Sequence, residues 1–228
     1  MLAACGAFSG GAPAGGERAP AAFDASACEG ARIEVRSQSD VERLAGCRAV
    51  AGSIIISTGA ELSLRGLASL ERIGGDLRIG PTIALTAVEG LDALIEIGGS
   101  LEISGNALVT TVSFLSLRTV SGGVTLHRNV SLTSVSLEAL ARVDGSVIVA
   151  ANSDLFHVAL ASLASIGGGL EIAGNGRLEF LDAPALGAVG AAVVIERNRS
   201  LDADEVQTLV GRLAPPDGPA DQIAPPID

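Results

Sequence analysis

One short phrase recurs seven times along this chain, and the recurrence restricts the fold more than any single residue does. It reads VAGSIII from Val50, IGGDLRI from Ile73, IGGSLEI from Ile97, VSGGVTL from Val120, VDGSVIV from Val143, IGGGLEI from Ile166 and VGAAVVI from Val189. Successive starts are 23 residues apart, except for one step of 24. One glycine-rich turn before a strand is weak evidence for anything, a phosphate loop included. Seven in register describe units too short to bury an apolar face alone, which must therefore stack into a continuous core. The sequence predicts a mainly β fold, a parallel β-helix or leucine-rich-repeat-like solenoid of about seven 23-residue coils, with short capping helices at both ends.

Within a coil the strand is brief and alternates, as in Leu101, Glu102, Ile103, so the two aliphatic residues point inward and the middle one outward. Three residues past the strand stand Asn106, Asn129, Asn152, Asn175 and Asn198, with Thr82 and Gly59 in the equivalent earlier places. Asn tolerates a left-handed backbone and bonds to neighbouring peptide groups, so this column is expected to stitch coil to coil. Further apolar positions close the coil: Leu132, Val135, Leu137 and Leu140 in one, Leu155, Val158, Leu160 and Leu163 in the next. The paired glycines are expected at corners where the chain turns tightly and a β-carbon would be crowded by the neighbouring coil.

A solenoid's ends must be capped. Residues 31–36 read as a first strand, and Ser39, Asp40, Val41, Glu42 as a capping box opening a short helix toward Leu44. At the other end Asp202 to Glu205 repeats the capping pattern, and Val206, Leu209, Val210 and Leu213 share one helical face. The division expected is a flexible Ala/Gly/Pro tether over residues 1–27, a capped solenoid over 28–214, and a disordered Pro/Asp-rich tail over 215–228.

The run CEGARIEVRSQSDVERLAGCRAVAGSIII from Cys28, followed by coils of the form IGGxLxIxxN, resembles the receptor L-domain family. That family includes the ligand-binding lobes of the insulin and epidermal growth factor receptors and the fungal cell-wall proteins of the Ecm33 and sporulation-specific type. The resemblance covers roughly residues 28 to 201. It implies a right-handed solenoid of parallel strands and a disulfide between Cys28 and Cys47 in the N-terminal cap. The other reading of these two residues is a pair of reduced, buried thiols in a cytosolic protein. The cysteine-rich modules that accompany receptor lobes are missing from this sequence, so a receptor role is not carried over.

Leu2, Ala3, Ala4, Cys5 has the form of a bacterial lipobox, with Cys5 the residue lipidated after cleavage. The basic and apolar segments of a signal peptide would then be encoded upstream of Met1. Gly6 after the cysteine points to outer-membrane delivery. The expected location is the bacterial cell envelope, with the membrane contacted through the lipid anchor only; the exclusive use of Arg over Lys, with abundant Ala and Gly, fits a GC-rich bacterial gene.

A formal net charge of −11 argues against nucleic acid as a partner, since affinity for phosphate backbones comes from Lys and Arg. No HExxH, CxxC or P-loop spacing is present, so no metal or cofactor is expected. The two histidines, His127 and His157, read as surface or turn residues in different coils. The outward column of the main strand is predicted to run Glu34, Ile55, Arg78, Glu102, Thr125, Ile148, Glu171, Val194. It lacks the paired acids of a glycosidase, which makes a polysaccharide-active β-helix enzyme the weakest of three readings. The first is a surface-anchored recognition or adhesion module that binds an unknown protein or glycan through the exposed parallel sheet, with Arg78, Glu102, Thr125, Ile148, Glu171 and Val194 as the candidate face. The second is a structural spacer, a rod of roughly 35 Å. Phe114, Phe156 and Phe180 are expected in coil interiors or corners. The sequons at Asn129 and Asn198 coincide with the Asn column, so their structural role is expected to prevail.

Overall fold

The computed structural model describes residues 28–213. Cys5, the predicted tether and the predicted tail lie outside the described residues. Eight strands, Arg32–Val35, Ser53–Ile56, Leu77–Ile79, Leu101–Ser104, Val124–His127, Val147–Ala150, Leu170–Ala173 and Val193–Glu196, lie side by side in one sheet. Every pairing is parallel and joins equivalent residues of successive coils, for example Glu102 with Thr125 and Thr125 with Ile148. A second sheet is built from seven two-residue strands, Ala49–Val50 to Ala188–Val189, each ending on the first residue of the glycine phrase. A third holds five strands, beginning at Ala87–Val88 and ending at Phe180–Asp182. The chain is thus a parallel β-solenoid of about seven turns, as its period requires.

The alternation of the main strand fills the interior. Ile54, Leu77, Leu101, Val124, Val147 and Leu170 form one column, each no more than 2% exposed. The closing residues Leu132, Val135, Leu137, Leu140, Leu155, Val158, Leu160 and Leu163 are buried as expected, and Phe114 is fully buried. Each fully buried aliphatic contributes about 1.5–3 kcal/mol, so the stack of coils is held mainly by this core.

The glycine corner is a place of close approach. A β-carbon on Gly98 would stand 2.4 Å from the Gly74 carbonyl oxygen, and one on Gly167 would stand 2.2 Å from that of Asp144. Next to these glycines runs a set of side-chain acceptors that the sequence reading missed. The Ser53 hydroxyl accepts from the Asp76 amide at 2.9 Å, the Asp76 carboxylate from Ser100 at 2.9 Å, and the Ser100 hydroxyl from Gly123 at 3.2 Å. Ser146 accepts from Gly169 in the same way at 3.1 Å. These residues occupy the fourth place of the glycine phrase, where Ser or Asp recurs.

At the opposite corner the Asn column is a buried ladder. The Asn129 side-chain amide donates to the Ile103 carbonyl of the coil before at 2.9 Å and to Asn152 Oδ1 of the coil after at 3.1 Å. Asn106, Asn152 and Asn175 repeat the backward bond, and Asn106, Asn129, Asn152 and Asn175 are all fully buried. Asn198, in the last coil, is partly exposed but still donates to Ile172 at 2.7 Å. Thr82 extends the ladder upstream, its hydroxyl donating to Asn106 Oδ1 at 2.8 Å.

Two details correct the sequence reading. Gly59 does not continue the column; it is exposed, and the buried Thr58 reaches back to the Arg36 carbonyl instead. Nor do the asparagines take the left-handed conformation. The residue before each of them does: Gly105, Arg128, Ala151, Gly174 and Arg197, with φ between 54° and 66°. For a side-chain-bearing residue this conformation is uncommon and unfavourable, and the ladder bonds of the following Asn hold it in place. The ladder also decides the sequon at Asn129, whose amide is buried and fully engaged and cannot accept a sugar.

The N-terminal cap is a helix α1, Gln38–Arg43, beside the first strand. Its box sits two residues earlier than expected, with Ser37 as the N-cap and Asp40 as its acidic partner. Asp40 accepts from the Arg36 amide at 3.0 Å and the Ser37 amide at 2.9 Å. The Arg36 amide first, then the Ser37 hydroxyl and amide and the Arg43 guanidinium, hold its carboxyl at about 2, below the ordinary 3.8. Cys28 and Cys47 are joined by a disulfide, and Cys47 is buried against the first coil. Closing a loop of this size is worth about 3 kcal/mol. A Cys28→Ser, Cys47→Ser double variant is expected to lose about that much in urea denaturation, and reducing agent is expected to lower the parent to the same midpoint.

The C-terminal cap is α2, Ala203–Leu213, with Asp202 accepting from the Asp204 and Glu205 amides at 2.8 and 3.1 Å. Leu209 is buried against the last coil while Val206, Val210 and Leu213 are half-buried, which is the predicted face. Arg212 ties the helix down through the Pro184 and Ala183 carbonyls.

Candidate functional site: outward faces of the coils

The predicted outward column stands on the eight-stranded sheet in unbroken register, from Glu34 beside Ile55 through Arg78, Glu102, Thr125, Ile148 and Glu171 to Val194. Its charges are engaged locally. Arg78 contacts the Asp76 carboxylate at 3.2 Å and that of Glu102 at 3.8 Å. Glu102 also accepts from the Ser104 hydroxyl at 3.1 Å. Exposed ion pairs of this kind contribute little to stability. Ile55, Thr125, Ile148 and Val194 are half-buried by their neighbours, while Glu171 is exposed between two aliphatics. From Arg78 to Val194 this column is chemically mixed, with one Arg and no phenylalanine.

The five-stranded sheet carries what the other lacks. Phe156 and Phe180, expected in the interior, are 42% and 45% exposed. Val158 and Leu181 fill the inward places of these strands, so the rings have no room inside and lie on the surface. Their centroids are 5.1 Å apart at 73°, an edge-to-face pair. The signal that locates them was present in the repeat. Phe156 lies 23 residues after Thr133 and Phe180 pairs with His157, which pairs with Ser134; these equivalents are polar, so the positions face water.

His157 stands at the surface as predicted, on the strand His157–Ala159, with its ring at 89° to that of Phe180 and 6.3 Å away. Its Nε2 is 2.9 Å from Asp182 Oδ2 on the neighbouring strand. Ser134, His157 and Asp182 thus fall on three successive strands, with only the last two hydrogen-bonded to each other. On the other side of the rings the Arg177 guanidinium donates to the Asp154 carboxylate at 3.1 Å. Together these side chains line an open groove of about 650 Å³ across three coils, with Thr133 and Ser134 at its near end.

Among the described residues, no three His, Cys, Asp or Glu side chains gather as a metal site would require, and no helix is long and apolar enough to cross a membrane. Comparison of the chain with protein-family models, with curated proteins and with solved structures finds no match.

Proposed function

We propose that this protein is a non-enzymatic recognition or adhesion module of the bacterial cell envelope, a solenoid of the receptor L-domain kind that binds through its exposed parallel sheets. The observation that carries this reading is the pair of phenylalanines left in water on a chain whose other described phenylalanine, Phe114, is fully buried. A rod that served only as a spacer gains nothing from exposed aromatic rings, whereas rigid aromatics beside charged side chains are what recognition surfaces use. The stacked coils supply the rest, a preorganised surface on which ordering costs little. Tethering through a lipidated Cys5 and export to an oxidising compartment fit the Cys28–Cys47 disulfide.

The test is binding of the full-length chain to protein and glycan arrays, beside an Ile148→Asp variant of the eight-stranded face and a Phe156→Ala variant of the five-stranded face. Recognition predicts retention on at least one array and its loss in one of the two variants. Silence of the parent on both arrays would leave the spacer as the function.

A further inference from the structure

We infer that the groove on the five-stranded sheet is a binding site for an uncharged glycan, with Phe156 and Phe180 as its floor. This deepens the recognition reading and rests on it. The chemistry of the groove selects the ligand class. Its centre is apolar and aromatic, two rings held edge to face and each close to half exposed. Its two margins are polar, the Arg177–Asp154 pair at one side and the His157–Asp182 pair at the other.

Each carboxylate at the margins already has a donor partner. A cationic ligand would meet the Arg177 guanidinium and share each carboxylate with the donor already bound to it, and an anionic one would meet two carboxylates. A neutral ligand meets neither penalty. Each pair still has capacity in hand: Arg177 engages Asp154 through one nitrogen of its fork and keeps further N–H donors, and each carboxylate keeps an oxygen outside the pair. The ligand that fits has an apolar face for the rings and a rim of groups that both donate and accept. A pyranose has both, C–H groups on one face and hydroxyls around its edge. The Thr133 and Ser134 hydroxyls extend the same chemistry along the groove.

The volume agrees. At about 650 Å³ the groove lies within the range of ligand sites, and it is open to solvent rather than enclosed. Ser134, His157, Phe180 and Asp182 stand on strands while Asp154 and Arg177 lie in the turns that precede them, and each margin bridges two coils through its ion pair, so the polar groups are held in place before the ligand arrives.

The experiment uses the full-length chain with a panel of neutral oligosaccharides built from glucose, galactose, mannose and N-acetylglucosamine, alongside acidic and amino sugars and a protein array. Hits are followed by titration calorimetry on Phe156→Ala, Phe180→Ala, Phe180→Tyr and, as a control, Leu115→Ser, an exposed position outside the groove, with circular dichroism confirming that each variant is folded. The expected result is binding to a neutral oligosaccharide, weakened about tenfold or more by each alanine variant, retained in Phe180→Tyr and unchanged in Leu115→Ser. Neutral-glycan binding that survives both alanine variants would overturn the site and leave recognition standing. Retention of only charged sugars or proteins would overturn the ligand class in the same way. No binding on any array would remove the recognition reading and this inference with it.

Discussion

Replacing Asn152 by alanine is expected to cost about 3–5 kcal/mol of stability, far more than truncating a polar side chain usually does. The side chain is fully buried and serves both neighbours. Its Oδ1 accepts from the Asn129 amide at 3.0 Å and the Asn129 side chain at 3.1 Å. Its Nδ2 donates to the Leu126 carbonyl at 3.0 Å and to Asn175 Oδ1 at 3.2 Å. Alanine removes all four bonds, leaves two donors of Asn129 buried without partners and takes one bond from the Leu126 carbonyl. Aspartate would restore the acceptor alone and bury a charge, so it is expected to be no better. Asn198→Ala, at the exposed end of the ladder, is the control and is expected to lose about 1 kcal/mol. Urea denaturation of the three variants checks the order.

Gly99→Ala is expected to cost about 3 kcal/mol by overpacking. A β-carbon at Gly99 would fall 2.7 Å from the Gly75 carbonyl carbon and 2.8 Å from the Asp76 amide nitrogen, both backbone atoms of the preceding coil. To admit it, two coils must separate at the corner where the Gly99 amide donates to the Gly75 carbonyl at 2.9 Å. Gly176→Ala, where a β-carbon would meet nothing within 4 Å, is the contrasting substitution and is expected to leave the thermal midpoint almost unchanged.

These residues were legible from the chain because the period exposes them. Any position repeated at 23 residues must serve the stack, so the inward aliphatics, the Asn ladder and the crowded glycines followed from spacing and elementary sterics. What spacing alone missed was of a different kind. The left-handed residue before each Asn varies between Gly, Arg and Ala, so its backbone role leaves no mark in residue type. The N-terminal box slipped by two residues because Ser37 and Ser39 are both competent caps, and only the Asp40 carboxylate turned back on Arg36 and Ser37 decides between them. The aromatic groove was missed because a phenylalanine was read by its hydrophobicity. Comparing each with its equivalent one coil away would have placed it outside, since Thr133 holds the place of Phe156 and His157 that of Phe180.

The same comparison divides scaffold from surface: what repeats builds the rod, and what departs from the repeat on its outward faces carries recognition. The most direct test is the urea midpoint of a Phe156→Ala, Phe180→Ala double variant measured beside Asn152→Ala. Two half-exposed rings taken from a sheet whose interior is already filled should lower stability by about 2 kcal/mol, the worth of their partial burial and their pairing, while the Asn variant falls by about 3–5 kcal/mol. If the phenylalanine variant unfolds as readily as Asn152→Ala, the rings belong to the scaffold and the division fails.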